Sequence, residues 1–188
     1  MKGMFIRGLQ GMFTKLTILL TFLIYPSLNF SQVYQINNQE VTTRVILDNE
    51  YIVISKFKSD SGNFISTLGG YYQLNKGVYE INLEFNSNYD QDSIKTLSIT
   101  KASKWKNISK ENDILKGKWV MSGRYNNGEF RTRNTDLPRK TMKILIDGFF
   151  QWIAFNTETF KFSGSGGGEY ETLDGKYIEI IQYFSRDD

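Results

Sequence analysis

KILIDGFFQWIAFNTETFKFSGSGGGEYETLDGKYIEIIQYFSR, residues 143–186, is the stretch that decides the fold, because residues 44–87 repeat it. Val45-Ile46-Leu47-Asp48 lies over Ile144-Leu145-Ile146-Asp147, Phe57 over Phe155, and Phe64 over Phe162. Gly69-Gly70-Tyr71-Tyr72 then lies over Gly167-Gly168-Glu169-Tyr170, and Glu80 and Phe85 over Glu179 and Phe184. The offset drifts between 98 and 99 residues, which one slipped loop position would explain. Self-similarity over this length implies two copies of one folding unit. Within each copy, short runs rich in β-branched and aromatic residues end at Asp-Asn, Asp-Gly or Asn-Lys-Gly turn signals, and no segment keeps a helical period. Tyr79, Ile81, Leu83 and Phe85 alternate with Glu80, Asn82 and Glu84, as in a strand with one buried and one wet face. Strands about ten residues apart predict an all-β antiparallel meander that closes as a barrel.

Composition narrows the chemistry. The chain has 188 residues, 15% of them aromatic, two Pro, and neither Cys nor His. Disulfides, thiol nucleophiles, Cys/His zinc sites and imidazole bases are therefore excluded. No nucleophile–base pair and no metal constellation stands out, so no catalytic residue and no cofactor are assigned and the expectation is a non-enzyme. The formal charge is +3, but Lys2, Arg7 and Lys15 precede Gln32 with no acidic residue among them. Without them 20 basic face 20 acidic residues, which offers no electrostatic case for nucleic acid.

Residues 1–31 read as a signal peptide: a basic front end, the apolar run from Leu16 to Tyr25, then Pro26 and small or polar residues. The expected destination is the periplasm, the cell envelope or the exterior. The first unit is then 32–112 and the second 113–188.

At Gly117-Lys118-Trp119 the second unit resembles the lipocalin and calycin signature, in which a Gly-x-Trp opens an antiparallel meander and the Trp closes one end of the barrel. Together with Phe150-Gln151-Trp152-Ile153-Ala154-Phe155-Asn156 and the Gly164–Gly168 run, the chain is similar to two-domain, lipocalin-like, secreted or membrane-associated bacterial proteins. That resemblance implies two tandem barrel repeats, the second incomplete, or one barrel shared by both halves. It also implies non-covalent binding of a small, largely apolar ligand. Taking Glu179 as water-facing puts Ile178, Ile180, Gln182 and Phe184 on the inner wall, joined by Phe162 and Tyr170, with Trp119 closing the barrel. The competing expectation is a filled core in an envelope protein that binds another protein or a surface polymer through a sheet edge. The edge from Lys176 to Phe184 is also where a homodimer could form.

Three further motifs carry little. The Gly164–Gly168 run lacks the Lys-Ser/Thr and the helix that a phosphate cradle needs, and reads instead as a bulge, a sharp barrel bend or a close backbone approach. Asn88, Asp90 and Asp92 alternate like calcium ligands, but Ser93 replaces the loop glycine and Ile99 the bidentate glutamate. Asp48 and Asp147 sit at equivalent turns, where their side chains can bond the local backbone.

Overall fold

The computed structural model describes residues 31–110 and 114–186; most of the expected signal segment lies outside them. The chain is all-β and antiparallel, as its alternation and turn chemistry predict. The first unit contains β1 (Gln32–Asn38), β2 (Val41–Leu47), β3 (Tyr51–Lys58), β4 (Phe64–Asn75) and β5 (Val78–Asn86). A four-residue helix, α1 (Tyr89–Asp92), then leads to β6 (Thr96–Thr100) and β7 (Lys106–Asn107). The second unit contains β8 (Gly117–Val120), β9 (Gly123–Asn126), β10 (Glu129–Thr132), β11 (Arg139–Ile146), β12 (Phe149–Asn156), β13 (Phe162–Leu173) and β14 (Lys176–Phe184). The Asn127-Gly128 pair, both with positive φ, turns the small β9–β10 ribbon, as that dipeptide favours.

Apart from that ribbon, the strands form two open sheets, ordered β6-β5-β4-β3-β2-β1-β7 and β14-β13-β12-β11-β8. No closed barrel is found among the described residues. The inner faces of the sheets pack on each other: Val33, Ile46, Tyr51, Val53 and Phe85 of the first interlock with Met142, Ile144, Ile146, Phe149, Ile153 and Phe155 of the second. Such a shared core is the face-to-face sandwich solution for two half-apolar sheets.

The repeat is visible in the register. β2 to β5 and β11 to β14 pair identically at a constant offset of 98 residues. Even the irregularities coincide: a shift at Lys56/Phe57 matches one at Ala154/Phe155, and a shift at Gly69/Gly70 matches one at Gly167/Gly168. The drift to 99 residues expected from the sequence does not exist. Phe85 corresponds to Tyr183 and Glu80 to Ile178, because Gly69 pairs with Phe85 as Gly167 pairs with Tyr183. The identity of Glu80 with Glu179 and Phe85 with Phe184 is a coincidence one position out of phase. Since side chains alternate faces, that single step puts Glu179, and not Ile180, at the place that Ile81 holds on the covered outer face of β5.

Contacts between the units are those of a two-fold dimer folded into one chain. Phe64 and Phe162, equivalent positions, stack on each other at 5.8 Å and 6°. Phe85 meets Phe155 at 5.1 Å, and the reciprocal pair, Tyr183 and Phe57, stacks at 4.6 Å. Reciprocal contacts of this kind define an isologous interface. At the β3–β4 turn Gly62 has φ +74 and abuts the Gln182 carbonyl, where a Cβ would lie 2.3 Å away. Its counterpart Phe160 takes the same left-handed backbone, φ 59, and stacks on Tyr89 of the other unit at 4.6 Å.

Burial of aromatic hydroxyls at this interface has a pH signature. Tyr183 is pushed up to about 12 by burial, and Tyr51 is raised well above its usual value by burial and by the neighbouring Glu84 carboxylate. A folded-state pKa above the unfolded one means the native state keeps a proton that the unfolded chain releases, so stability is intact below pH 10 and falls above it. We expect Tm to hold to about pH 10 and then drop, as the unfolding free energy falls by about 1.4 kcal/mol per pH unit per buried tyrosine. Tyr183→Phe should flatten that decline in a thermal melt series from pH 8 to 12.

Candidate binding sites

Of the residues expected to line a cavity, the structure gathers few. Phe162 packs against the inter-sheet core. Tyr170 is buried on the opposite, outer face of the second sheet with Leu145 and Phe150. Phe184 leans on Trp152 on that outer face, at 5.5 Å. Ile178 and Ile180 are exposed on the other side of β14, where the first unit has Glu80 and Asn82. Gln182 is the extra residue of the β14 bulge and bonds Arg44 and Glu169. These six line no common cavity. Trp119, expected to close a barrel, is exposed on edge strand β8 and donates its indole N–H to the Leu115 carbonyl at 3.0 Å.

The sheets are joined instead by a buried polar cluster. Gln151, in β12, accepts from Ser55 Oγ at 2.6 Å through Oε1 and donates through Nε2 to Thr67 Oγ1 at 2.8 Å and Ser165 Oγ at 2.9 Å. Thr67 and Ser165 are counterparts, and both hydroxyls donate to strand carbonyls, of Ile54 and Trp152. Every polar atom of the Gln151 amide is thus engaged, as a buried amide requires.

Two places are left open. The first is the outer face of β14 and its edge over residues 176–181, the far end of the strand being bridged at Phe184 by Asn63. In the first unit the corresponding strand, β5, pairs with β6 over Val78–Asn82, and Leu97, Ile99, Trp105, Tyr89 and Phe160 cover its outer face. Leu83 is 6% exposed there, whereas its counterpart Ile181 is 59% exposed. Tyr177, Ile178 and Ile180 are exposed beside it, so both faces of this strand half present open apolar side chains; between Tyr177 and Ile181 the outer face carries Glu179, paired with Lys143, where the first unit has Ile81. Nearby on the same outer face, Trp119, Val120, Met121, Thr141, Met142, Lys143 and Trp152 border a groove of about 480 Å³.

The second place is a cleft of about 640 Å³ between the units, at whose base Arg44 of β2 is buried. Its guanidinium lies over the Phe57 ring at 5.4 Å and the Phe149 ring at 4.8 Å. It donates to Gln182 Oε1 at 2.6 Å and Gln35 Oε1 at 2.8 Å, while its Nε–H has no partner. Burial lowers its pKa from the usual arginine value. Lys110 at the rim holds Glu169, whose carboxyl is kept below the usual range chiefly by that hydrogen bond. In the repeat, Arg44 stands where the second unit has Met142 and Gln151 where the first has Val53. A polar residue opposite an apolar one in the sister copy was a signal the sequence carried.

No protein-family model, curated protein or solved structure matches this chain.

Proposed function

We propose that the protein is an exported, non-enzymatic interaction module of the cell envelope that takes an extended segment of another protein as an added strand on β14. The observation that supports this most is internal: the same edge in the first unit is already occupied, by β6. That occupant specifies the chemistry of the missing one. β6 is Thr-Leu-Ser-Ile-Thr, with Leu97 and Ile99 turned into the apolar face and hydroxyl residues between them. Strand addition supplies affinity through main-chain hydrogen bonds and selectivity through alternate side chains. Leu83 N–H donates to the Lys95 carbonyl at 2.9 Å, and the corresponding donor on β14 is Ile181 N–H.

A peptide with the sequence Lys95–Ala102, labelled and titrated against the intact protein by fluorescence anisotropy, should bind. Ile181→Asp, a change at an exposed position, should weaken it at least ten-fold with Tm unchanged. Failure of the wild-type protein to bind the peptide, or equal binding by the variant, would sink the reading. So would concentration-dependent dimerisation lost in Ile181→Asp without peptide binding, since the edge would then belong to a second copy. Retention of a small apolar molecule, the function the lipocalin resemblance implies, is favoured only by the groove between Trp119 and Trp152. In that case an extractable ligand should be lost in Trp119→Asp and retained in Ile181→Asp.

A further inference from the structure

The cleft at Arg44 is a site of a different kind, and the internal symmetry supplies its control. At the matching position of the second unit stands Met142, also buried, packed in the same inter-sheet core. The counterpart of Gln182 is Glu84, which accepts from Tyr51, and the counterpart of Glu169 is Tyr71, which accepts from Lys118. One scaffold position is therefore sealed with a thioether in one unit and left as a guanidinium below a cleft in the other. Packing does not require the arginine. Burying a guanidinium against two neutral amide oxygens is costly compared with an apolar residue of similar volume; Glu169, which is held by Lys110 and Gln182 and acts on Arg44 without an ion-pair contact, offsets this in part and leaves room for a partner that brings a negative charge.

The surroundings define that partner. The charged side chains bordering the cleft are Arg44, Lys58 and Lys110 against Asp60 and Glu169. Lys110 is paired with Glu169, and Lys58 with Glu40 just outside, so Arg44 is the cation without a carboxylate in contact. Asp60 stands ionised at the mouth, its carboxylate bonded to Ser61 N–H, and repels a second negative charge. Phe57, Phe149 and Ile108 form an apolar patch in the wall, beside the polar side chains of Gln35, Thr42, Ser59 and Ser61. A planar anion of single charge with a short hydrocarbon tail matches each of these: the carboxylate meets the fork of the guanidinium, and the tail lies against the rings.

We propose that the cleft between the two units binds a small monocarboxylate through Arg44. The site touches β14 at Gln182 but uses none of the exposed residues 177–181 of its edge, and it stands or falls without the strand-addition reading.

Isothermal titration of the full chain with sodium butyrate should give one site per chain, with inorganic phosphate and chloride binding at least ten-fold more weakly. Arg44→Met installs the residue that the sister unit carries, so the protein should keep its Tm or gain, while butyrate binding falls by at least ten-fold. Gln182→Glu places a tethered carboxylate on Arg44 and should also abolish butyrate binding in a folded protein. Absence of butyrate binding to the wild type, equal binding by Arg44→Met, or phosphate binding as tightly as butyrate would each overturn the proposal. If Arg44→Met fails to fold, the sealed-position argument fails with it, and Gln182→Glu then decides the site alone.

Discussion

Adding one methyl group at Gly70 or Gly168 should strongly destabilise the protein. At Gly168 a Cβ would sit 2.0 Å from the Ile180 carbonyl oxygen, and at Gly70 it would sit 1.9 Å from the Asn82 oxygen. Both obstacles are backbone, so no rotamer change relieves the clash. The strand must separate from its partner at the bulge, and with it go the hydrogen bonds of β4–β5 or β13–β14. Overpacking in a well-filled interior costs about 1–3 kcal/mol where side chains can shift, and more is expected here. We expect Gly168→Ala or Gly70→Ala to lower Tm by more than about 10 °C, which at this chain length corresponds to more than about 3 kcal/mol. Gly175→Ala is the control: its surroundings are open, although its positive φ still carries a small cost. A Gly168→Ala melt that overlays the wild type would show that the close strand approach is not required.

Replacing Gln151 with leucine is expected to cost about 2–4 kcal/mol, since the hydroxyls of Ser55, Thr67 and Ser165 lose a shared partner in a site closed to water. The comparison that isolates this effect is also built into the chain. Position 53, the counterpart of 151, is Val53, so an apolar residue fits the backbone there. Combining Gln151→Leu with Ser55→Ala and Thr67→Val removes the stranded groups as well, and the combination should be less destabilised than the single change plus the sum of the other two. Urea denaturation of the set measures the coupling. Additive values would mean that Gln151, Ser55 and Thr67 do not act as one network.

How far the sequence carried this reading depends on the residue. The duplicated β-meander was legible because turn chemistry is local: Asp48-Asn49, Asn75-Lys76-Gly77, Asp147-Gly148 and Asp174-Gly175 punctuate runs whose alternation survives unaided. The two glycine runs were legible as a close approach or a bulge, and they are both. Beyond the bulge the reading failed. Gln182 adds one residue to β14 without a turn to announce it, so Phe184 falls on the outer face while Ile178 and Ile180 lie on the other, and the supposed cavity wall is split between them. Closure into barrels was an extrapolation from strand spacing. Spacing is the same for a sheet that curls on itself and for one that finds a second sheet to cover it. Arg44 was passed over inside Val-Thr-Thr-Arg-Val-Ile-Leu, because one arginine in a strand ordinarily points to water. Only its position opposite Met142 marks it as buried.

The order in which the sheets are threaded bears on how the chain reaches this state. Apart from β1 with β7 and β8 with β11, every neighbouring pair of strands is consecutive in the chain. Such hairpins close over short loops at little entropic cost and form early, whereas docking one sheet on the other joins residues about a hundred positions apart. Each half should therefore exist briefly as a preformed sheet whose apolar inner face is bare. Because the two halves share one register, a half from one molecule can dock on the complementary half of another, and the hazard during synthesis at high concentration is intermolecular exchange of halves rather than random collapse.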